Sequence, residues 1–234
     1  MSLFYEELDY QKTAIGELVL RRRKSVSVAD EFVYEVTIDG EMLMSSTVND
    51  SELALARLAL KALGDRQVDV LVGGLGLGCT AAGALEYPNV RKLTVVELLE
   101  PVISWHRERL VPLGCKLMDD SRCSLVAGDF FEHVSSPSSN HQYDAILLDI
   151  DHSPSSWLRE RHKDFYNAAG LQGLANCLHP NGVFALWSAW KPETAFLDVL
   201  GEVFPSVQNH EIPFFNPHVN EMDSNWVVIA GGLD

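Results

Sequence analysis

The rhythm of apolar and polar positions changes once along this chain, near residue 49. Before that point the stretches ELVLR (17–21) and FVYEVTI (32–38) alternate or run β-branched and aromatic, as half-buried strands do. Asp39-Gly40, ahead of Glu41-Met-Leu-Met, is a hairpin turn signal. These features predict a small antiparallel β appendage over residues 1–48. From Asn49, Asp50 or Ser51, any of which is placed to cap a helix, Leu53, Ala56, Leu60 and Leu63 recur on one helical face. Short apolar runs then predict strands at 68–72, 92–96, 124–127, 145–148, 183–187 and 226–230. Helices are predicted over 80–86, 101–110 and 165–178, the second with Pro101 in its first turn and the third stopped by His-Pro-Asn-Gly. Residues 135–140, SSPSSN, read as a loop. Short strands alternating with helices predict a largely parallel, Rossmann-like α/β domain over 49–234, helices on both faces and ligands at the carboxyl ends of the strands.

Charge narrows the choice of partners. Among 234 residues, 18 are Lys or Arg and 33 are Asp or Glu, a formal −15 that repels a phosphate backbone and suits a cationic small molecule. The one basic run, Arg21-Arg22-Arg23-Lys24, reads as an exposed strand and turn rather than a nucleic-acid site. No apolar run approaches the roughly 18 residues of a membrane span, and Glu6, Glu7 and Asp9 rule against a secretory signal. A cytoplasmic location is expected. Cys79, Cys115, Cys123 and Cys177 are scattered, without a CxxC pair, as reduced thiols are.

The candidate chemistry begins at VDVLVGGLGLGCTAAGALE (68–86). Gly74, Gly76 and Gly78 follow a strand and open a helix, where absent Cβ atoms let a ligand approach the backbone. Gly76-x-Gly78-x-x-Ala81 also fits a dinucleotide fingerprint, and a plain tight turn is the third reading. Acids at the ends of later strands favour an adenosyl-sulfonium ligand. Glu97, 19 residues after Gly78, is placed to accept both ribose hydroxyls. Gly128-Asp129, followed by Phe130, offers an acid and a ring face for adenine, unless Asp129 is only a helix cap. Asp149 closes the next strand.

The segments DVLVGGLGLG (69–78), VVE (95–97), Gly128-Asp129 and YDAILLD (143–149) resemble the class I methyltransferase fold, and within it the spermidine synthase branch. The resemblance covers most of the chain. It implies a nucleoside pocket of Gly74, Gly76, Gly78, Glu97 and Asp129, with an acidic centre at Asp149; Leu77, Leu98 and Phe130 are taken into the same pocket, and a homodimer is expected by analogy. Three departures stand out. Leu77 occupies the place of an acid that, in that branch, anchors the donor's ammonium. Ser51-Glu52 replace a Tyr-Gln pair, and the acidic loop becomes Asp149-Ile-Asp151-His152-Ser153-Pro154, one residue tighter. An ammonium left beside Leu77 is costly to desolvate, which favours S-adenosylmethionine over its decarboxylated form.

The resulting expectation is a transferase that methylates a small amine-bearing acceptor. An aminopropyltransferase, a non-catalytic nucleoside-binding relative and an NAD(P)-dependent oxidoreductase are the alternatives. Asp149 and Asp151 are the candidate catalytic groups; Asp151, His152, Trp187 and Trp190 the candidate acceptor contacts. No metal is expected. Trp105 and His106 are expected near the adenosine, and residues 214–223, FFNPHVNEMD, are read as a lid or pocket wall, or else an irregular hairpin loop.

Overall fold

Two sheets make up the fold. The computed structural model describes residues 5–25, 31–135, 142–216 and 219–231. Residues 136–140 of the predicted loop, and Pro217 and His218 of the aromatic stretch, lie outside the described residues.

The first sheet is a meander of β1 (Tyr5–Thr13), β2 (Gly16–Lys24), β3 (Phe32–Ile38) and β4 (Glu41–Ser45). Its alternation buries Leu18, Leu20 and Val36 on one face. Asp39 and Gly40, at φ 49° and 83°, make the expected tight hairpin. β1 lacks an apolar period and was not predicted. It pairs with β2, and Trp105 Nε1 donates to its Asp9 at 2.6 Å. The three arginines of the basic run are half-buried and internally neutralised, while Lys24 is exposed. Arg21 and Arg23 reach the buried Glu35 carboxylate at 2.8 and 2.7 Å, and Arg22 reaches Glu6 at 2.7 Å.

Next come α1 (Asp50–Leu63), β5 (Val68–Gly73), α2 (Cys79–Leu85), β6 (Val90–Glu97), α3 (Glu100–Arg107) and α4 (Gly114–Asp119). Then follow β7 (Cys123–Ala127), α5 (Phe130–Ser135), β8 (Tyr143–Leu148), α6 (Ala168–Ala175), β9 (Leu178–Ser188), α7 (Thr194–Val203), β10 (Ser206–Asn216) and β11 (Glu221–Gly231). The sheet order is β10-β11-β9-β8-β5-β6-β7, with β7 through β9 parallel and the last two strands antiparallel. The chain winds outward from β5 in one direction and then returns to place β8 on its other side. Strand ends diverge there and leave a crevice.

One core, with Leu55, Leu60, Val70 and Trp105, packs α1 to α3 on one face; Phe130, Phe165, Phe184 and Leu200 build the other. Ala56, Leu60 and Leu63 of the expected face of α1 are buried, but Leu53 is 37% exposed, because the buried surface is centred on Leu55 and Ala59 and extends to Ser51 rather than to Leu53. The helix predicted over 165–178 is broken. A 3-10 turn (Glu160–Tyr166) ends at Asn167, whose side chain accepts from Gly170 N at 2.9 Å and starts α6 afresh. The His-Pro-Asn-Gly stop lies inside β9, with Asn181 at φ 63°. Of the aromatic stretch, residues 214–216 lie in β10 and 221–223 in β11, which pair as antiparallel neighbours. Among the described residues no helix is long and apolar enough to cross a membrane.

Candidate active site at the carboxyl ends of the parallel strands

A cavity of about 390 Å³ opens where β5, β6, β7 and β8 end. The main chain is laced there: Gly74 N donates to Val96 O at 3.0 Å, Asp149 N to Gly73 O at 2.9 Å and Gly128 N to Glu97 O at 2.9 Å. Ile15, Met42 to Ser45 and the start of α1 close one side, so the first sheet supplies a wall of the cavity. Phe214 and Asn216, at the end of β10, also line it, so the described part of the aromatic stretch supplies both paired strand and pocket wall.

The bareness of the glycine loop is largely a matter of protein neighbours. Gly74, Gly76 and Gly78 hold φ of 91°, 49° and 92°. A Cβ on Gly74 would lie 2.1 Å from the Asp149 carbonyl oxygen, and one on Gly76 3.0 Å from Met44 Sδ. Gly74 and Gly76 border the cavity, but Gly78 does not, contrary to expectation. Its Cβ would meet His106 Cε1 at 2.8 Å and Leu117 at 2.9 Å, so it is bare to let α3 and α4 pack. His106 in turn donates from Nε2 to Gly76 O at 2.9 Å; burial lowers its pKa, which keeps the ring neutral as a brace under the loop. Trp105 is buried against Asp9 and does not line the cavity.

Glu97 borders the cavity with both oxygens engaged. Leu75 N donates to Oε2 at 2.9 Å and Leu99 N to Oε1 at 2.8 Å, while burial pushes the carboxyl upward. The backbone N–H groups of Gly76 and Leu98 also favour its charged form. Asp129 is a helix cap that also borders the cavity. It caps α5 through Phe131 N at 2.8 Å and pairs with Arg161, yet also lines the cavity beside Phe130 and Phe131. Leu77 and Leu98 line it as expected.

At the opposite side stands Asp149, which accepts the Thr80 hydroxyl at 2.7 Å; desolvation raises its carboxyl to about 6. Glu52, from the first turn of α1, enters the same cavity. Burial first, then repulsion by Asp149, pushes it to about 7, and the Ser51 hydroxyl donates to it at 2.7 Å. Ser51 Oγ also accepts the Trp187 indole N–H at 2.9 Å, which seats Trp187 in the wall. Burial and the two carboxylates push the nearby Cys79 thiol up to about 12, so it is a neutral wall group rather than a nucleophile. The sequence reading noted Glu52 as a departure without giving it a place in the site. Its signal is its position in the first turn of the helix directly before the first parallel strand; that helix starts at the carboxyl edge of the sheet and runs away from it.

Two expected acceptor contacts lie elsewhere. Asp151 is turned away from the cavity, its carboxylate wholly buried. It accepts from Leu158 N at 2.8 Å, His162 Nδ1 at 2.8 Å and Tyr166 OH at 2.9 Å, which hold it on the side away from the cavity. Trp190 is 58% exposed and outside the lining, its ring 6.3 Å from that of His152. His152 does line the cavity. Among the described residues no group of three His, Cys, Asp or Glu is arranged to hold a metal.

The paired acids carry a testable cost. Both titrate above the ordinary carboxylate range when folded, so the folded chain retains a proton that the unfolded chain has already released. Stability contributed below about pH 4 therefore falls as pH rises to about 7. Thermal scans of Glu52→Gln should match wild type near pH 4.5 and exceed it at pH 8 by roughly 2–5 °C. An equal difference at both values would rule out the buried charge as its source.

Residues 41–199 match the spermine/spermidine synthase domain. The chain is 28% identical to a polyamine aminopropyltransferase of Sulfolobus acidocaldarius over 191 residues, 77% of this chain and 54% of that protein. It is also 27% identical to putrescine N-methyltransferase 2 of Nicotiana tabacum over 192 residues, 70% of this chain and 52% of that protein. The chain thus spans about half the length of these curated relatives. Spermidine synthase of Thermotoga maritima superposes on 97% of this chain and 74% of its own, at a TM-score of 0.74 and 18% identity, which establishes a common Rossmann-like fold with a small N-terminal sheet.

Proposed function

The chain belongs to the spermine/spermidine synthase family, and from that premise we propose that it transfers an alkyl group from an adenosyl sulfonium to a small amine. Decarboxylated S-adenosylmethionine is the preferred donor and an aminopropyl group the cargo. The observation that carries this reading is Glu52 beside Asp149 in one cavity. The absence of an acid at Leu77 argued for S-adenosylmethionine, but a carboxylate contributed by α1 is available to the donor's ammonium. The chemistry of the lining fits such a ligand. Glu97 presents a carboxylate edge to ribose hydroxyls, Phe130, Phe131 and Leu98 offer apolar surface to a base, and two acids serve cationic ends.

A sulfonium carbon is already activated, so the protein's task is alignment and proton control. An amine attacks only when neutral. Asp149 holds the acceptor ammonium, takes one of its protons and orients the resulting neutral amine, whose lone pair forms the C–N bond in line as the S–C bond of the sulfonium breaks and a neutral thioether leaves. Thr80 fixes one Asp149 oxygen and leaves the other for the amine. Glu52 grips the second ammonium, that of an aminopropyl chain. The rising ionisation of both acids through about pH 6 to 7 gives an activity that climbs over the same interval.

Methyl transfer is the second reading, supported by Leu77 and by the likeness to a putrescine N-methyltransferase. Incubation with each donor and a panel of di- and polyamines, followed by mass measurement of the products, separates the two. A gain of one aminopropyl unit is expected. A gain of one methyl unit would favour the second reading, and no product from either donor would remove both.

A further inference from the structure

We infer that Ser51 is a positioning residue that readies two acceptors, the Glu52 carboxylate and the Asn225 amide oxygen, for one primary ammonium; this deepens the donor site proposed above and rests on it. Ser51 is buried behind the cavity wall, while Glu52 and Asn225 line it. Three groups converge on its hydroxyl. Trp187 Nε1 donates to Oγ at 2.9 Å, and Oγ lies 2.7 Å from Glu52 Oε2 and 3.1 Å from Asn225 Oδ1. The Asn225 amide is fixed end for end, because its Nδ2 donates to Ala189 O at 3.2 Å. Glu52 and Asn225 therefore both present oxygens to a hydroxyl that has one proton to give.

That shortage makes two states. While Glu52 holds its own proton it donates to Ser51 Oγ, Ser51 donates onward to Asn225, and every group has a partner. Once Glu52 is charged, the Ser51 proton turns to it and Asn225 Oδ1 is left as an acceptor without a donor. A buried acceptor in that condition is costly, and Asn225 borders the cavity, within reach of a ligand's N–H. A primary ammonium meets both needs at once. Its charge and one N–H go to Glu52, a second N–H goes to Asn225, and the Glu52 proton leaves to solvent. A quaternary ammonium offers the charge alone. The other titratable groups around Glu52 are Asp149 at the end of β8, Cys79 at the start of α2, whose thiol stays protonated, His152 in the cavity lining and Asp50 on its own helix. β4, β9, β10 and β11 add no titratable side chain to the lining. Asp149 and Asp50 push Glu52 upward, and the Ser51 hydroxyl holds it down.

The test is calorimetric binding, to the full chain, of decarboxylated S-adenosylmethionine, of its N-trimethyl analogue and of 5′-methylthioadenosine, which lacks the aminopropyl chain. At pH 8 wild type is expected to prefer the primary over the trimethyl ammonium by about tenfold or more, as the loss of one buried hydrogen bond implies. Asn225→Leu, of similar size, should remove most of that preference and leave 5′-methylthioadenosine affinity unchanged. Ser51→Ala should move upward the pH at which decarboxylated S-adenosylmethionine gains over 5′-methylthioadenosine, since the hydroxyl that favours charged Glu52 is gone. Ser51→Thr should restore it. A role confined to packing moves no such profile. The inference is overturned if wild type binds both ammonium forms equally, if Asn225→Leu keeps the full preference, or if Ser51→Ala leaves the profile in place. Should Asn225→Leu fail to fold, the two Ser51 variants decide in the same sense. If wild type at pH 8 binds decarboxylated S-adenosylmethionine no better than 5′-methylthioadenosine, the hold of Glu52 on an ammonium falls and the inference with it, an outcome distinct from equal binding of the two ammonium forms.

Discussion

Asp149→Asn should lower kcat on the order of 10³-fold while leaving nucleoside affinity within about twofold, since a positioned proton acceptor contributes roughly 10² to 10⁴. The amide is nearly isosteric and can still accept the Thr80 hydroxyl that holds Asp149 at 2.7 Å. It cannot take a proton from an attacking amine, nor hold that amine by charge. Single-turnover transfer and nucleoside binding, measured side by side, separate these effects. A variant that keeps its rate would show that Asp149 is no base. One that loses the nucleoside as well would assign it to donor binding instead.

Gly74→Ala carries the largest expected effect on stability. The new methyl would stand 2.1 Å from the Asp149 carbonyl oxygen, with φ at 91°. Neither obstacle can be relieved by a side chain, because both belong to main chain at the junction of β5 and β8. The strand ends must part, breaking hydrogen bonds such as Asp149 N to Gly73 O. A loss of about 4 kcal/mol is expected, on the order of 10 °C in Tm. Gly40→Ala is the proper control: φ is similar at 83°, but nothing lies within 4 Å, so only the conformational strain of about 1–2 kcal/mol remains. Equal losses in the two variants would show that φ, and not the junction, decides.

The sequence made the parallel strands legible because their buried apolar runs end at glycine or acid, and those ends are where Gly74, Glu97, Asp129 and Asp149 meet. It was silent on β1 and β10, whose residues are largely half-exposed and carry no clean period. Contacts between distant segments were also hidden. The spacing of Asp149 and Asp151 says nothing of the turn that buries the second against His162 and Tyr166. Nor does a run of bases reveal that Glu35, on another strand, neutralises two of them. Glu52 was visible as a residue and invisible as a neighbour of Asp149, since only the docking of α1 against the sheet brings them into one cavity.

That docking makes the aim of Glu52 a matter of helical phase. The apolar stripe through Leu55, Ala59 and Leu63 fixes the rotation of α1, and the carboxylate points wherever three residues of winding before Leu55 leave it. One residue gained or lost between them would swing it by about 100° around the axis. Side chains at this turn can be exchanged without re-aiming the acid, whereas a change in chain length there cannot.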